Sequence, residues 1–306
     1  MTTPFLTTDS DSALLASNVA EAFWNKTINS SILPGLSGAK PIIIGKNSVP
    51  TITKRPSASV RQEGKKTGGT RMETSTKTLK VFDLQMITEH SIESVKSNAG
   101  KVFDNIIDEM GSGMARGVDL AAIHGLEASS GNKITLLGND FVNSTTNRIE
   151  VDFSTKNADI YLWQGYEQLV AAGKGFNGLA LDPQFVAKIA NARDNQGRRL
   201  NPDIDLGARL TSYSGQPLVS DHVVSGFVDD LTDTGVRGFG GDWTSLHWGY
   251  AEDVEIFTQT AGDPLGNGDL TARRMVAVHA NVKIGIGILD SGAFVAYEIP
   301  AAPAGE

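Results

Sequence analysis

The feature that most limits how this chain can fold is an almost wholly polar stretch, residues 61–80, whose two ends belong to segments of alternating sequence. The flanks "SASVRQE" and "METSTKTLKVFDLQMI" alternate with the period of a β-strand, and "GKKTGG" between them is typical of a turn. The pattern predicts a long two-stranded hairpin, and a solvated loop is the alternative. Because an isolated two-stranded ribbon is marginally stable in water, such a hairpin needs another surface to lie across.

The composition is that of an ordinary globular protein and excludes several classes of function. The chain has 306 residues, 40% hydrophobic and 20% charged, enough for one large or two ordinary domains with a core. A net charge of −8 argues against broad electrostatic attraction to nucleic acid or anionic membranes. The absence of cysteine excludes disulfides, thiolate metal sites and thiol catalysis. We find no secretory signal pattern and no apolar run of membrane-spanning length.

The clearest single element is a long helix over residues 101–123. Apolar side chains, among them Phe103 and Met110, recur there at helical spacing, and 23 residues at 1.5 Å each give about 35 Å. Gly125 is a natural residue to end the helix. Three glycines lie inside it: Gly111, Gly113 and Gly117. Since each costs about 1 kcal/mol relative to alanine, they indicate close approach of another backbone or a bend.

An α/β segment begins near residue 154. A helix is predicted over "NADIYLWQGYEQLVAAGKG", and Asp182-Pro183 opens a second helix as its N-cap and first residue. Short strands and a β-rich remainder follow. The residues predicted to share one face of the first helix are Leu162, Trp163, Tyr166, Leu169 and Val170.

No motif for catalysis, metal binding or cofactor binding stands out. The five histidines show no paired spacing, and neither "MGSGMARG" nor "AAGKGFNG" has the spacing of a phosphate-binding loop. No nucleophile elbow with plausible partners is present. We therefore predict no catalytic residue, no metal and no cofactor.

The window "GFGGDWTSLHWGYAEDVEIF" is the strongest remaining candidate for a site. One interpretation is a carboxylate–histidine–aromatic site made of Asp242, Trp243, His247, Trp248 and Asp253. The other interpretation, which we favour, is a strand whose tryptophans pack inward and stabilise the fold.

Taken in order, these elements resemble the major capsid proteins of tailed bacteriophages, whose fold is shared with encapsulin shells and the floor of herpesvirus capsids. The resemblance covers roughly residues 41–299. The stretches that carry it are "SVRQEGKKTGG…TSTKTLKVFDLQMITEHSIES", "NGLALDPQFVAKIANARDNQGRRL", "GQPLVSDHV", "GGDWTSLHWGYAEDVEI" and "DLTARRMVAVHANVKIGIGILDSGAFVAYEI".

The resemblance implies an α+β capsid fold. Its parts would be an N-terminal arm (1–45), an extended hairpin loop (46–80), a peripheral domain (81–158 and 272–300) with a spine helix near 101–123, an axial domain (159–271) and a C-terminal tail (301–306).

It also implies a structural protein, not an enzyme, that assembles with itself into hexamers and pentamers. The shell would form in the host cytoplasm and become part of the virion. It would contact packaged double-stranded DNA weakly. Further partners would be a separate scaffolding protein, a portal and a decoration protein. No membrane is implied. The implied intersubunit residues of the loop are Arg61, Glu63, Lys65, Lys66, Arg71, Glu73 and Lys77, and the implied structural residues are Trp243, Trp248, Phe103 and Met110.

The chain departs from some members of the family in two features. Only some forty residues precede the first strand, fewer than in members that carry a scaffolding segment. Some members crosslink a loop lysine to an asparagine of a neighbour. Lys65, Lys66, Lys77 and Asn281 are candidates, but none matches a motif and we predict no crosslink.

The alternatives are an encapsulin-type cargo shell, and a soluble hydrolase or carbohydrate-binding domain that uses the tryptophan window.

Overall fold

The computed structural model describes most of the chain after the N-terminal arm. The described residues are 23, 25–43, 45, 47–54, 56–60, 63–64, 68–69, 71–97, 101–155, 157–194, 196–201, 204, 210–226, 233–251 and 255–300. Most of the predicted arm and the predicted tail lie outside these residues.

Within the described residues the fold is α+β, with helices and two β-sheets. The helices are α1 (residues 25–30), α2 (Leu33–Leu36), α3 (Ile92–Ser97), α4 (Lys101–His124), α5 (Asp159–Ala171), α6 (Pro183–Ala190) and α7 (Leu270–Arg273). The strands are β1 (Asn47–Lys54), β2 (Glu73–Ser91), β3 (Arg148–Glu150), β4 (Gly178–Leu181), β5 (Ser212–Tyr213), β6 (Gln216–Ser220), β7 (Val236–Gly241), β8 (Leu246–Tyr250), β9 (Glu255–Gln259), β10 (Met275–Ile288) and β11 (Phe294–Glu298).

The first sheet is built around two long antiparallel strands. β2 pairs with β10 from Lys80 to Ser91, and its earlier part pairs with β1 up to the Asn47–Leu79 pair. β8 and β9 pair with successive parts of β10 on its other edge. The predicted hairpin therefore forms, but its first strand was placed wrongly: β1 precedes "SASVRQE", and residues 56–60 are irregular. The β-branched residues of "SVPTITK" favour that earlier strand.

The second sheet has the order β3-β11-β7-β4-β6-β5. The pairing of the strands crosses the predicted domain boundaries, and the division into domains stays a prediction. β3 and β11, which lie within 81–158 and 272–300, pair here, whereas β8 and β9, which lie within 159–271, pair in the first sheet. Alternation along the sequence identifies a strand but not its partner strand, so the sequence left these assignments undetermined.

Helix α4 connects the two sheets. The middle of the helix packs Ile106, Ile107, Met110 and Met114 on β10 of the first sheet. Its last turns lie in a larger core shared by both sheets, with Val118, Leu120 and Ile123 buried. The predicted helix is confirmed, and it ends where expected because Gly125 has a φ of +66°, which favours glycine.

Helix α5 packs on the second sheet with a different face from the predicted one. It buries Leu162, Gly165 and Leu169, while Trp163 and Val170 are about half exposed. Gly165 decides the orientation, because a Cβ at this position would overlap the Tyr297 hydroxyl. The buried face was predicted from the spacing of large apolar residues, and such spacing does not identify a glycine as the contact point. The prediction for α6 is confirmed: its N-cap Asp182 accepts a hydrogen bond from the Gln184 amide at 2.7 Å.

Candidate assembly surfaces

The hairpin of β1 and β2 is the most exposed part of the described structure. Over Glu73–Leu79, β2 pairs with β1 alone, so the ribbon has two strands beyond the end of β10. Three apolar side chains on it face solvent: Ile52, Val60 and Met72 are 60%, 95% and 51% exposed. Large apolar side chains exposed together on a ribbon that lacks its own core indicate a contact surface.

The charged residues predicted for this surface, apart from Lys77, divide into three groups. Glu63 and Arg71 are exposed on the hairpin. Glu73 lies 3.6 Å from Lys54 on the neighbouring strand, in a pair that is exposed on both sides. The remaining loop residues of the prediction, Arg61, Lys65 and Lys66, lie outside the described residues.

Lys77 fastens the base of the hairpin to its own chain. Its ammonium lies 2.6 Å from the Asp140 carboxylate, whose side chain is only 10% exposed. Asp140 belongs to the loop that follows α4, so this ion pair joins the hairpin to the central helix region. In the isolated chain, the Lys77 charge is thus already engaged within its own subunit.

The segment that leads into the hairpin crosses the face of the first sheet. The Lys40 amide donates to the Trp248 carbonyl at 2.9 Å, and Ile42 lies against the sheet beyond it. This crossing needs glycine beneath it, because a Cβ at Gly249 would overlap the Lys40 carbonyl and one at Gly285 would lie 2.8 Å from Ile42 Cδ1. The glycines of "HWGY" and "KIGIG" therefore allow a close approach of backbone that their sequence context does not predict.

The tryptophans of the candidate window are buried. Trp243 is 0% and Trp248 is 1% exposed. Trp243 packs edge-on against Phe294, with ring centroids 5.3 Å apart, and Trp248 Nε1 donates to the Ser37 carbonyl at 2.9 Å. Trp243 lies in a short 3₁₀ turn, so the strand begins three residues later than we predicted, at Leu246.

The described ionisable groups of the window, Asp242 and His247, do not form a catalytic arrangement. Asp242 Oδ1 caps the 3₁₀ turn: it accepts hydrogen bonds from the Thr244 amide and hydroxyl and from Asn177 Nδ2. Burial and the nearby Lys40 charge lower the pKa of His247. No ion pair joins the described residues Asp242 and His247, and Asp253 lies outside the described residues. The window is consequently a structural junction between β7 and β8.

His124, unlike the partly buried His247, is buried and engaged in structural contacts. Its Nε2 lies 3.0 Å from the Val224 carbonyl, and Asn143 Nδ2 lies 3.1 Å from its Nδ1. Burial lowers the pKa of His124 to about 4, so the ring is neutral at pH 7. The natural assignment is that Nε2–H donates to the carbonyl while Nδ1 accepts from the amide, which leaves neither nitrogen available as a base.

Asp119 holds the end of the N-terminal arm against α4. It is 1% exposed, and its carboxylate accepts hydrogen bonds from the Ser31 hydroxyl at 2.5 Å and the Ile32 amide at 2.9 Å. Burial raises the pKa of Asp119 to about 7, although these hydrogen bonds oppose the shift. Asp119 was not among the residues predicted from the sequence. Its signal was a single acid in the apolar run "GVDLAAI".

The other predicted structural residues are on α4. Met110 is 2% exposed and packs against β10. Phe103 is part of the helix, but its side chain lies outside the described residues. Among the described residues, no group of three or more His, Asp or Glu side chains is arranged to hold a metal ion. None of the described helices is long and apolar enough to cross a membrane.

Comparison with known proteins places the chain in one family. Residues 12–299 match the Phage capsid family. The probable major capsid protein gp17 of Mycobacterium phage D29 is 25% identical over 222 residues, which are 67% of this chain and 65% of that protein. The match therefore spans slightly less than two thirds of that relative's length.

Solved structures from two phages match the fold of this chain over nearly its whole length. A chain from Gordonia phage Cozz is 41% identical with a TM-score of 0.78, and the match covers 89% of this chain and 87% of that one. A chain from Mycobacterium phage Ogopogo is 26% identical, also with a TM-score of 0.78, over 88% and 92% of the two chains. On the extent of the family match and its agreement with the fold, this chain belongs to the Phage capsid family.

Proposed function

We propose that this chain is the major capsid protein of a tailed bacteriophage and assembles into the hexamers and pentamers of a shell around double-stranded DNA. The observation that carries the proposal is the family match over residues 12–299. The extended, uncovered hairpin of β1 and β2 agrees with it. A structural protein of this kind needs no catalytic site, and the buried tryptophan window fits that role.

The hairpin is proposed to lie across a neighbouring subunit. Residues 46–80 contain nine Lys and Arg and two Glu, a net charge of +7, of which the Lys77 charge is already paired with Asp140 of its own chain. The whole chain has a net charge of −8, so the remaining residues carry −15. A basic hairpin and an acidic body attract each other between copies, which favours contact of one copy's hairpin with the next copy. Glu63, Arg71 and Glu73 are the described residues proposed for this contact, with Arg61, Lys65 and Lys66 beside them in the sequence.

The remaining parts of the proposal follow from a shell around DNA. The protein would be found in the virion after assembly in the host cytoplasm, with a separate scaffolding protein, a portal and a decoration protein as candidate partners. Its acidic net charge suits weak contact with packaged DNA, without sequence specificity. We expect no covalent crosslink between subunits, and a ladder of bands above 32.5 kDa after boiling particles in detergent would contradict that.

An encapsulin-type cargo shell is the second candidate, and it has no better support: the relative from Mycobacterium phage D29 and the structures from Gordonia phage Cozz and Mycobacterium phage Ogopogo come from phages. The two candidates differ in their contents. Particles purified from the native host should contain protected double-stranded DNA if the chain encloses a genome. Particles that contain a protein cargo and no nucleic acid would favour the second candidate.

A direct experiment on the hairpin compares two charge reversals of opposite sign. Arg71→Glu lowers the positive charge of the hairpin and should weaken assembly, whereas Glu63→Lys raises that charge and should not. Assembly yield is measured by size-exclusion chromatography at low and moderate salt, since salt screens such attraction. Equal loss of particles in both variants, or in neither, would refute the electrostatic role of the hairpin.

A further inference from the structure

The chain contains two Asn-Gly dipeptides, and the structure gives them opposite surroundings. Asn177-Gly178 leads into β4, and Asn267-Gly268 lies in the loop before α7. Asparagine is a chemically labile residue. Its lability is greatest before glycine, because a following residue without a side chain leaves its backbone nitrogen open to attack the asparagine side chain. Whether either site reacts in the folded protein therefore depends on how freely the dipeptide can rearrange.

Asn177-Gly178 is held on both sides by buried structure. Asn177 Nδ2 donates to Asp242 Oδ1 at 2.8 Å, and Asn177 Oδ1 accepts from the Trp243 amide at 2.8 Å. Gly178 is buried in β4, where a Cβ would lie 2.8 Å from Trp243 Cδ1. The side-chain carbonyl carbon of Asn177 cannot reach the Gly178 nitrogen unless these contacts break. Folding should consequently protect this dipeptide.

Asn267-Gly268 lies in an exposed loop without such restraints. The Asn267 side chain is exposed and forms no hydrogen bond with a described residue. The Gly268 amide donates to Asp263 Oδ2 at 2.9 Å, and Asp263 is itself exposed. One solvated carboxylate, and not a strand ladder, thus holds this amide. Because so few contacts restrain the loop, the local opening that frees the Gly268 nitrogen should cost little free energy.

We propose that Asn267 is a site of spontaneous deamidation in the folded protein. The Gly268 nitrogen attacks Cγ of Asn267, so a C–N bond forms and the bond from Cγ to Nδ2 breaks. Nδ2 leaves as ammonia and carries away the proton of the Gly268 amide. Water then opens the resulting succinimide ring to aspartate or isoaspartate. The inference is independent of the proposed function, because the reaction needs only the loop of a single chain and water.

The reaction would change the charge and the length of the loop. Either product adds one negative charge beside Asp263, and isoaspartate also adds one carbon to the backbone. The Gly268 carbonyl accepts from Arg273 Nε at 3.0 Å, and two other nitrogens of Arg273 contact the Glu89 carboxylate on β2 at 2.9 and 3.0 Å. Deamidation of Asn267 would therefore act next to the contact that fastens this loop to the first sheet.

Peptide mapping by mass spectrometry tests both dipeptides in one sample. The purified full-length chain is incubated at mildly alkaline pH, either folded or unfolded in guanidinium, and the gain of about 1 Da is followed at each asparagine. In guanidinium the two sites should react at similar rates, because neither is restrained. In the folded chain we expect Asn267 to react at least about tenfold faster than Asn177, since only Asn177 is held by the fold.

Asn267→Gln is the matched variant, because glutamine would have to form a six-membered ring, which is much slower. The acidic form that accumulates in the wild type on isoelectric focusing should be absent from the folded variant. Equal rates at Asn267 and Asn177 in the folded chain would overturn the inference. So would an Asn267 that reacts in guanidinium and stays intact in the folded chain, or an acidic form that accumulates in Asn267→Gln as fast as in the wild type.

Discussion

Replacing Trp243 with alanine should destabilise the junction at which both sheets meet. The indole is completely buried, contacts Phe294 edge-on at 5.3 Å and lies in the core shared by α4 and both sheets. Its Nε1 has no hydrogen-bond partner among the described residues, so the expected loss comes from packing and not from a broken hydrogen bond.

The magnitude follows from the kind of contact that is lost. Truncating a buried tryptophan to alanine costs about 3–5 kcal/mol, including the cavity it leaves and the lost aromatic contact. For a chain of this size, each kcal/mol lowers the melting temperature by about 2–4 °C. We therefore expect the Trp243→Ala monomer to melt roughly 10 °C below the wild type and to give fewer particles.

His247→Ala is the matched control, four residues away in the same window. His247 is only partly buried, and its ring makes no ion pair with a described residue, so the cost should be below about 1 kcal/mol. Both variants are compared by thermal unfolding under assembly-free conditions and then by particle yield. If His247→Ala abolished particles while Trp243→Ala melted like the wild type, the structural interpretation of the window would be wrong.

Further predictions concern α5, the arm and the hairpin base. Gly165→Ala should lower stability by about 1–3 kcal/mol in denaturant titrations, because its Cβ would overlap the Tyr297 hydroxyl; an unchanged midpoint would contradict this packing. The raised pKa of Asp119, about 7 in the folded state, means that its stabilising contribution is complete below pH 4 and is lost as the pH rises to about 7. Asp119→Asn should therefore reduce the difference in urea stability between pH 5 and pH 8, and an unaltered difference would refute the assignment. Lys77→Ala should cost about 1–3 kcal/mol and speed hydrogen exchange at the hairpin base, since it leaves the nearly buried Asp140 carboxylate without its partner; unchanged exchange would count against an anchoring role.

The elements that could be predicted from sequence are those whose signal is local. The length of α4 and its end at Gly125 follow from helical periodicity and a left-handed glycine. The cap at Asp182 follows from a local hydrogen bond. The long strand β2 follows from its alternation, and the burial of both tryptophans agrees with the favoured interpretation of the window.

The elements that were missed depend on contacts between distant parts of the chain. β11 joins the second sheet by pairing with β7, and β3 joins it by pairing with β11; the sequence encodes neither pairing locally. The buried face of α5 depends on Tyr297, more than 130 residues later. The role of Asp119 depends on the arm that folds over it. A pattern of residue types predicts the secondary structure that a segment prefers. The missed features depend instead on which distant residues the segment contacts.

The central claim, that this chain builds a closed shell from copies of itself, is tested most directly by electron microscopy of the purified protein after size-exclusion chromatography. The account predicts megadalton particles whose reconstruction shows hexamers and pentamers, with each hairpin lying on a neighbouring subunit. A protein that stays a stable 32.5 kDa monomer under all assembly conditions, including with a scaffolding protein, would contradict it.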